Sequence, residues 1–462
     1  MCREQKIRKR NCPEKDRLEA EEHPGVRSMP AREAEPKDGA DLFECILERN
    51  NLNRAYKQVK RNGGAPGVDG MTVNDMLAYL HEHKESFLES LRNGTYRPLP
   101  VRRVEIPKPD GGVRLLGVPA VMDRMIQQAI SQVLSPIFEQ DFAETSYGFR
   151  PGRNAHQAIR KAQEYYNQGY RRVVDLDLSK YFDTINHELL MEMLRIKISD
   201  QRVLSLIKRY LKSGVMINGV TKRTEEGSPQ GGNLSPLLSN IYLTSFDREL
   251  ERRGHKFVRY ADDVNIYVKS QRAAERVLAS SRKFLEAKLK LKVNESKSQA
   301  GSPLRLKFLG FALRSTTKGQ AGIRIHEKSM DRFKGKVREL TRRNQGNSVD
   351  WMLHKLREYT IGWLGYYAIA DMKSSMQRMN EWIRRKIRTY VWKQWKQAWT
   401  RFSRLQSLGI SEGDAWEWAN TRKGYWRTAG SWIMTRSLTN RRIAEMGYDD
   451  ILFRYNALHS SC

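Results

Sequence analysis

Two apolar, strand-like segments of this chain carry acidic residues in places where a strand core normally excludes them. Asp175 and Asp177 lie within the first segment, and the adjacent Asp262 and Asp263 lie within the second. Because burial of an unpaired carboxylate is costly, we expect cations between the two segments. Aspartates on neighbouring strands suit two metal ions roughly 3.5–4 Å apart, which hold the attacking and leaving oxygens of a phosphoryl transfer. The pattern predicts a nucleotidyl transferase.

The composition of the chain indicates a nucleic-acid partner. Its 462 residues suffice for several domains, and 83 Lys and Arg against 53 Asp and Glu leave a formal net charge of +30. Neutralisation of phosphates by Lys and Arg supplies most of the non-specific affinity for nucleic acid. A ribosomal or histone-like protein is the alternative, but 10 Trp, 19 Tyr and 14 Phe favour a folded enzyme over a basic tail.

Cysteine usage and hydropathy favour a cytoplasmic protein. The four cysteines, Cys2, Cys12, Cys45 and Cys462, form no closely spaced pair, so neither a disulfide framework nor a zinc site is predicted. The sequence has no apolar stretch of about 18 residues and no secretory signal, so we expect no membrane association.

Regular elements must position the aspartates. Residues 100–116 alternate in polarity around a Pro-Asp-Gly-Gly turn, which predicts a β-hairpin. Lys108 and Arg114 flank this turn, where they could reach a triphosphate; an ordinary solvated hairpin is the alternative. The other predicted elements are helices over residues 123–138, 154–168 and 272–289 and strand-like pieces over residues 291–298 and 306–312.

A glycine-rich segment over residues 226–243 lies between the two acidic strands. Its glycines permit close backbone approach, which suits a flat base pair and a phosphate. A helix is predicted to begin at Ser235-Pro236, because proline fits the first helical turn. A glycine-rich loop alone is more often a plain turn, but the position of this one favours a site.

From about residue 327 the chain is predicted to be helical and strongly basic. Met330, Phe333, Val337 and Leu340 fall on one apolar stripe of a helix. Residues 378–408 contain nine Lys or Arg and one acidic residue, interleaved with aromatic rings. Many of these rings, Trp392 and Trp395 among them, are equally compatible with a core. The residues predicted to bind RNA are Arg384, Arg385, Lys386, Arg388, Lys393 and Lys396.

Several strings of residues, taken in order, resemble one protein family. They include IPKPDGG (106–112), SYGFRPGR (146–153), SPQGGNLSPLL (228–238), YADD (260–263) and GWLGY (362–366). Together with Asp177-x4-Phe182-Asp183, these strings resemble bacterial group II intron-encoded reverse transcriptase/maturases over residues 41–450. Each short motif is weak evidence alone, but the ordered set is specific.

The resemblance implies an α+β, right-hand polymerase. Its fingers and palm would combine an antiparallel sheet with helices, and an α-helical thumb or maturase domain would follow. The implied domains are a disordered, mixed-charge extension (1–40), fingers (41–172), palm (173–316), thumb/maturase domain (317–408) and a C-terminal DNA-binding region (409–462).

The resemblance also implies roles for individual residues. Asp177, Asp262 and the backbone carbonyl of Leu178 would hold two Mg²⁺ ions, supported by Asp263. Phe182 would exclude a 2′-hydroxyl group and so select deoxynucleoside triphosphates, while Asp175 is interpreted as supporting or structural. The other implied contacts are Lys108, Arg114 and Gln230 with the nucleotide, Lys297 as proton donor to pyrophosphate, and Phe308, Leu309 and Gly310 with the primer.

The implied function is reverse transcription combined with maturase activity. The partners would be group II intron RNA during splicing and retrohoming, an RNA template with a DNA or RNA primer, and target DNA; monomer and dimer both stay open. The sequence lacks the Cys pairs and His-Asn motifs of an endonuclease domain, so it resembles class C members and is expected not to cleave the target strand. The alternatives are a splicing-only maturase and a domesticated relative in repair or defence.

Overall fold

The structure, a computed structural model, describes residues 41–107, 112–217, 220–222, 226–227, 231–316 and 319–460. These residues form two compact units, divided after Gly301. Residues 1–40, for which disorder is predicted, lie outside the described residues. Within the described ranges, no helix has the length and apolarity needed to cross a membrane.

The first unit consists of helices packed on two sheets. Its helices are α1 (Leu42–Leu47), α2 (Arg49–Asn62), α3 (Met76–Arg92), α4 (Val121–Glu139), α5 (Ala155–Asn167), α6 (His187–Arg195), α7 (Gln201–Leu211), α8 (Ser235–Arg252) and α9 (Gln271–Lys288). Its strands are β1 (Val101–Pro107), β2 (Val113–Val118), β3 (Arg172–Leu176), β4 (Val215–Ile217), β5 (Val220–Lys222), β6 (Lys256–Tyr260), β7 (Asp263–Val268) and β8 (Gln299–Gly301).

One four-stranded sheet is antiparallel throughout and has the order β6-β7-β3-β8. Helix α9 packs on β3 and β7, and α5 packs on β6. Val174 and Leu176 of β3 and Val264 and Ile266 of β7 are all fully or almost fully buried. Burial of each such side chain is worth about 1.5–3 kcal/mol, so the apolar residues between the aspartates anchor the sheet.

The other four-stranded sheet has the order β2-β1-β4-β5 and is mixed. Strands β1 and β2 form the predicted antiparallel hairpin, but β1 pairs in parallel with β4. The predicted combination of an antiparallel sheet with helices is confirmed by the sheet β6-β7-β3-β8, and the parallel pair of β1 and β4 is an additional feature of the second sheet. Parallel pairing requires a long crossover connection, and α4 to α7 together with the antiparallel sheet's β3 lie between β1 and β4 in the chain.

The predicted helices agree with the structure better than the predicted strands do. Helices α4, α5 and α9 match their predicted ranges to within two residues, and the Asn154 and Gln157 side chains form a capping box at the start of α5. Residues 291–298 do not form a strand, however. They make a turn with one isolated antiparallel bridge, Val293 with Leu178, and its amide and side-chain groups bond to the backbone around Asp177.

The second unit contains a small two-stranded antiparallel sheet and many helices. Its strands are β9 (Phe311–Ser315) and β10 (Ala321–Ile325), so β9, which the predicted palm included, belongs to this unit. Its helices are α10 (Glu327–Leu340), α11 (Val349–Tyr367), α12 (Lys373–Gln394), α13 (Ala398–Ser407), α14 (Glu412–Ala419), α15 (Tyr425–Ala429), α16 (Trp432–Ser437), α17 (Asn440–Glu445) and α18 (Ile451–Ser460).

The helical core of the second unit confirms part of the predicted apolar pattern. Phe333, Val337 and Leu340 are buried along α10. Trp392 of α12 is only 1% exposed, so it is a core residue, whereas Trp399 of α13 is 65% exposed. The aromatic residues of this region therefore serve packing at some positions and lie on the surface at others.

Candidate active site

The hairpin of β6 and β7 presents the adjacent aspartates at its tip. Tyr260 and Asp263 form the last pair of the ladder, so Ala261 and Asp262 make a two-residue turn. Tight hairpin turns of this length need a positive φ at a central residue, and Ala261 supplies it with a φ of 57°. A left-handed conformation costs a residue with a Cβ roughly 1–2 kcal/mol, so surrounding contacts must hold the turn.

Strand register brings Asp177 to the same end of the sheet. Leu176, the last residue of β3, pairs with Val264 of β7. The next residue, Asp177, is therefore level with Asp263 at the hairpin tip. Opposite residues in antiparallel strands have Cα atoms about 4.5–5.5 Å apart. The structure thus brings together the aspartates that the sequence singled out.

The turn over residues 292–298 orients the backbone at Leu178. Hydrogen bonds of 2.8 Å join the residues on either side of Leu178 to residues 292 and 294, and Leu178 itself bridges to Val293. In an antiparallel bridge of this kind, the residues before and after Leu178 make the hydrogen bonds to the turn. The N–H and C=O of Leu178 itself therefore point away from Val293. The Leu178 carbonyl therefore points to the β7 side of β3, where the hairpin tip lies.

The same turn holds Asp177 directly. The Asp177 amide donates to Ser298 Oγ (3.0 Å), and the Ser298 hydroxyl donates to the Asp177 carbonyl (3.3 Å). Lys297, the adjacent residue, has an exposed side chain. The predicted proton donor therefore lies in the loop that fixes the Asp177 backbone.

The negative charges at this end of the sheet affect neighbouring groups. Burial, and then the nearby Asp177 carboxylate, raises the pKa of Asp175 to about 7. Burial also raises the pKa of Tyr181, and the charge of Asp262 acts in the same direction. Tyr181 is the first residue of the 3₁₀ turn over Tyr181–Asp183.

The donor set of this site fits Mg²⁺. Aspartate carboxylates and a backbone carbonyl are hard oxygen ligands, and Mg²⁺ is usually held by one or two carboxylates together with substrate phosphates and waters. In the described part of the chain, no three His, Cys, Asp or Glu side chains are grouped so that they could hold a metal ion. Waters and substrate phosphates, which Mg²⁺ usually keeps as ligands, would therefore have to supply most of its coordination here.

Phe182 lies beside this site on the 3₁₀ turn. Its ring makes an edge contact with the Tyr181 ring at a centroid distance of 5.2 Å. Arg103 of β1 pairs with Asp183 at 3.7 Å, and a Cβ on Gly227 would come within 2.9 Å of the Asp183 carbonyl oxygen. The turn that carries Phe182 is therefore packed between the mixed sheet and the start of the glycine-rich segment.

The predicted nucleotide contacts are described only in part. Lys108 and Gln230 lie outside the described residues, as does the side chain of Arg114, whose backbone pairs with Ile106. Gly231 and Gly232, which follow Gln230, lie close to other parts of the protein itself. A Cβ on Gly231 would lie 2.5 Å from a β2 carbonyl, and one on Gly232 would lie 2.7 Å from a glutamine of α4.

The predicted primer-contacting residues form a tight turn in the second unit. Phe308 and Phe311 bridge, and Leu309 and Gly310 have φ angles of 50° and 86°. The Tyr366 hydroxyl donates to the Leu309 carbonyl (2.9 Å). The Ser329 hydroxyl and the His326 amide donate to the Gly310 carbonyl at 2.9 and 3.1 Å. Helices α10 and α11 thus fix the shape of this turn.

The predicted RNA-binding residues, which lie on α12 except for Lys396 just after it, differ in how many contacts they make within the protein. Arg388 is buried and donates to the Leu438 carbonyl (2.9 Å). Arg384 pairs with Asp450, and Arg385 donates to the Trp426 carbonyl (2.9 Å) and lies over the Trp426 ring. Lys396 is exposed, whereas Lys386 and Lys393 are half-buried beside aromatic rings.

Sequence reasoning missed Arg259, which lies in β6 directly before the Tyr-Ala-Asp-Asp tip. Arg259 and its partner Asp247 are completely buried. A charged side chain within an apolar strand requires a partner, and the same signal that identified the aspartates would have identified Arg259.

Comparison with known families agrees with this geometry. Residues 106–313 match the family "Reverse transcriptase (RNA-dependent DNA polymerase)". Residues 330–409 match the family "Group II intron, maturase-specific domain". The first match spans the antiparallel sheet with its aspartates, and the second spans α11 and α12 of the helical unit.

Individual relatives are similar over long stretches of the chain. The chain is 38% identical to Protein YkfC of Escherichia coli strain K12 over 298 residues, which cover 56% of this chain and 78% of YkfC. It is 28% identical to group II intron-encoded protein LtrA of Lactococcus lactis subsp. cremoris over 405 residues, which cover 73% of this chain but only 64% of LtrA. Among solved structures, a partial Cas6-RT-Cas1–Cas2 complex is 26% identical over 54% of this chain and 43% of its own, with a TM-score of 0.36.

Proposed function

The chain belongs to the family of group II intron-encoded reverse transcriptase/maturases, and on this basis we propose that it copies RNA into DNA with a two-metal site at the tip of the β6–β7 hairpin. Its fold is α+β, with the fingers and palm of a polymerase followed by an α-helical thumb or maturase domain. The observation that carries the proposal is the register of β3 and β7, which makes Asp177 level with Asp263 beside Asp262.

Each residue at the tip has a distinct task in the proposed reaction. Asp177 and Asp262, with the Leu178 carbonyl, would hold the metal ions, and Asp263 would support them. Bound Mg²⁺ would lower the pKa of the primer 3′-hydroxyl and neutralise charge on the triphosphate. Lys297 would donate a proton to departing pyrophosphate, since it lies in the loop that fixes Asp177.

The groups around the tip would position the nucleotide. Phe182 would pack against the sugar and exclude a 2′-hydroxyl group, because its turn is fixed on both sides. Lys108 and Arg114 would bind the triphosphate, and Gln230 would contact the nucleotide. Deoxynucleoside triphosphates and Mg²⁺ are therefore the proposed substrates and cofactor.

A primer-extension assay tests the proposed activity. Purified protein, a primed RNA template, the four deoxynucleoside triphosphates and Mg²⁺ should yield full-length DNA. Replacement of Mg²⁺ by Ca²⁺ is the control, since Ca²⁺ prefers longer bonds and looser coordination geometry and should support binding without extension. Failure to lengthen the primer in Mg²⁺ would reject the proposal.

We further propose that the second unit binds intron RNA and promotes splicing, and that the protein also contacts target DNA during retrohoming. The maturase-specific match covers α11 and α12, and the basic residues of α12 and the helices after it supply positive charge. No particular feature of the described residues favours a splicing-only protein or a domesticated role. A cytoplasmic, bacterial setting stays a prediction.

Charge reversal of the half-buried Lys386 and the exposed Lys396 should weaken RNA binding. We expect Lys386→Glu combined with Lys396→Glu to lower affinity for intron RNA. The slope of log affinity against log salt concentration is negative, and it should become less steep by about 0.7 for each phosphate that is no longer neutralised. Lys396 is exposed, whereas Lys386 is half-buried over the Trp382 and Trp426 rings, so we expect the double variant to fold with some loss of stability. Filter binding at several salt concentrations measures the slope.

A matched control carries the same change of charge on α9 of the first unit. Arg272→Glu with Lys283→Glu alters two exposed residues and should leave the slope unchanged. If the wild type, the Lys386/Lys396 variant and the Arg272/Lys283 control have equal slopes, Lys386 and Lys396 do not neutralise RNA phosphates.

The Phe308-Leu309-Gly310 turn is the proposed primer grip, and Tyr366→Phe tests it. Loss of the bond to the Leu309 carbonyl should cost roughly 1 kcal/mol, which is about a fivefold higher KM for primer–template. The ring would still pack on Phe311, whose centroid is 5.4 Å away. Steady-state extension at varied primer–template concentration measures the change.

Tyr390→Phe is the matched control for this substitution. It removes a hydroxyl bond of the same kind, to the Asn347 carbonyl at 2.8 Å, far along the chain from the turn. An equal rise of KM in both variants would mean that loss of stability, and not the turn, causes the effect.

A further inference from the structure

Arg259 occupies an unusual place for a charged residue. It lies in β6, an edge strand of the antiparallel sheet, and its side chain is 0% exposed. Its Nε donates to Asp247 Oδ1 (2.8 Å), and its Nη2 also bonds this carboxylate. Burial of an ion pair gives little net stability, because desolvation offsets the attraction, so the pair calls for a reason beyond stability.

The remaining contacts of the guanidinium reach the catalytic turn. Arg259 Nη1 donates to the Ala261 carbonyl (3.0 Å) and to Asn240 Oδ1 (2.9 Å). Ala261 is the residue with positive φ, directly before Asp262. Both Asn240 and Asp247 belong to α8, so one side chain ties the strained turn to this helix.

The loop over residues 146–153 braces the turn from the open edge of β6. The Tyr147 amide donates to the Arg259 carbonyl (2.9 Å), and the Arg259 amide donates to the Thr145 carbonyl (2.9 Å). A Cβ on Gly148 would lie 2.2 Å from the Ala261 nitrogen. This part of the SYGFRPGR motif therefore touches the backbone of the turn, and only glycine fits there.

Two further contacts make this loop rigid. The Asn240 Nδ2 donates to the Gly148 carbonyl (2.9 Å), which joins the loop to the Arg259 network. The buried Arg150 donates to the Ala143 and Ser146 carbonyls at 2.6 and 2.8 Å and pairs with Glu139. Helix α8, the loop and β6 thus meet at the backbone of Ala261.

We propose that Arg259 is a positioning residue for catalysis: together with Asn240, Asp247 and the Gly148 loop, it holds the Ala261-Asp262 turn so that Asp262 faces Asp177. This inference rests on the proposed polymerase function. Metal-assisted transfer depends on carboxylate placement, and partners that orient a ligand typically contribute 10–100-fold to metal affinity or activity. On its open side, the edge strand β6 is paired with no named strand of the described residues and has only the parallel bridge of Ser146 with Arg259, so side-chain contacts must supply much of that support.

The experiment replaces the buried pair by apolar residues of similar size, Arg259→Met with Asp247→Leu. Such replacement of a buried ion pair is often neutral for stability, so the protein should fold. We expect faster amide hydrogen exchange in residues 260–263 of the protein without ligands. We also expect a half-saturating Mg²⁺ concentration about tenfold higher and a kcat about 10–100-fold lower in primer extension.

A second variant perturbs the turn without touching the ion pair. Gly148→Ala places a methyl group against the Ala261 nitrogen and should produce the same exchange and Mg²⁺ effects. The matched control is Arg124→Met, which removes another buried guanidinium of the first unit; Arg124 donates to the Gly63 and Ala65 carbonyls. This control should alter stability but neither the exchange of residues 260–263 nor the Mg²⁺ requirement.

The inference would be overturned if the Arg259→Met/Asp247→Leu protein or the Gly148→Ala protein folds and keeps the wild-type amide exchange of residues 260–263 and the wild-type Mg²⁺ dependence. It would also fail if Arg124→Met changed both quantities as strongly. Inability of the wild-type protein to extend a primer would reject the proposed function, whereas the exchange measurement would still decide whether Arg259 and Gly148 hold the turn.

Discussion

Asp262→Asn should reduce primer extension on an RNA template by at least about 10³-fold, which corresponds to roughly 4 kcal/mol of transition-state stabilisation. The amide keeps the size of the side chain but removes the negative charge that a metal ligand needs. Asp262 sits in the two-residue turn at the hairpin tip, level with the end of β3 that carries Asp177. Single-turnover extension at saturating Mg²⁺ measures the loss.

Binding to intron RNA should stay intact in the same variant. The residues proposed to bind RNA belong to the second compact unit, whereas Asp262 belongs to the first. Asp331→Asn, an exposed aspartate of α10, is the control for the substitution itself. Parallel loss of splicing assistance and polymerase activity in Asp262→Asn would contradict the proposal of separate sites.

Phe182→Ala should allow the enzyme to incorporate ribonucleotides. Removal of the ring opens space at the sugar, and we expect the preference for deoxynucleotides, as a ratio of kcat/KM values, to fall about 10–100-fold. The ring is fixed by its contact with Tyr181 and by the neighbouring pair of Asp183 with Arg103. Extension with single deoxy- and ribonucleoside triphosphates in competition measures the ratio.

The adjacent Tyr181 provides the matched control. Tyr181→Phe keeps both rings and removes only the hydroxyl bond to the Ser239 carbonyl, which is 2.9 Å long. It should cost stability of about 1 kcal/mol and leave sugar selection unchanged. Continued exclusion of ribonucleotides by Phe182→Ala, with normal deoxynucleotide use, would remove the steric role from this residue.

The sequence predicted β3 and the principal helices because both depend on local patterns, but residues 257–268, predicted as one strand-like segment, form the β6–β7 hairpin with Asp262 in its turn. Apolar alternation around Asp177 and Asp262 marks strands, and the 3.6-residue periodicity of α10 marks a helix. It predicted residues 291–298 less well, because Ser298 and Asn294 bond to the Asp177 backbone instead of continuing a strand. Those partners are far apart in the chain, so no local pattern reveals them.

Only the tertiary structure decided which charged side chains serve the fold. Arg388 and Arg259 look like other basic residues in the sequence, yet one is buried against the Leu438 carbonyl and the other against Asp247, Asn240 and Ala261. Residue types and their spacing determined the chemistry of this protein, since carboxylates on apolar strands require cations. Long-range packing determined the geometry, because a guanidinium satisfies its donors with whichever carbonyls and carboxylates the folded chain brings within reach.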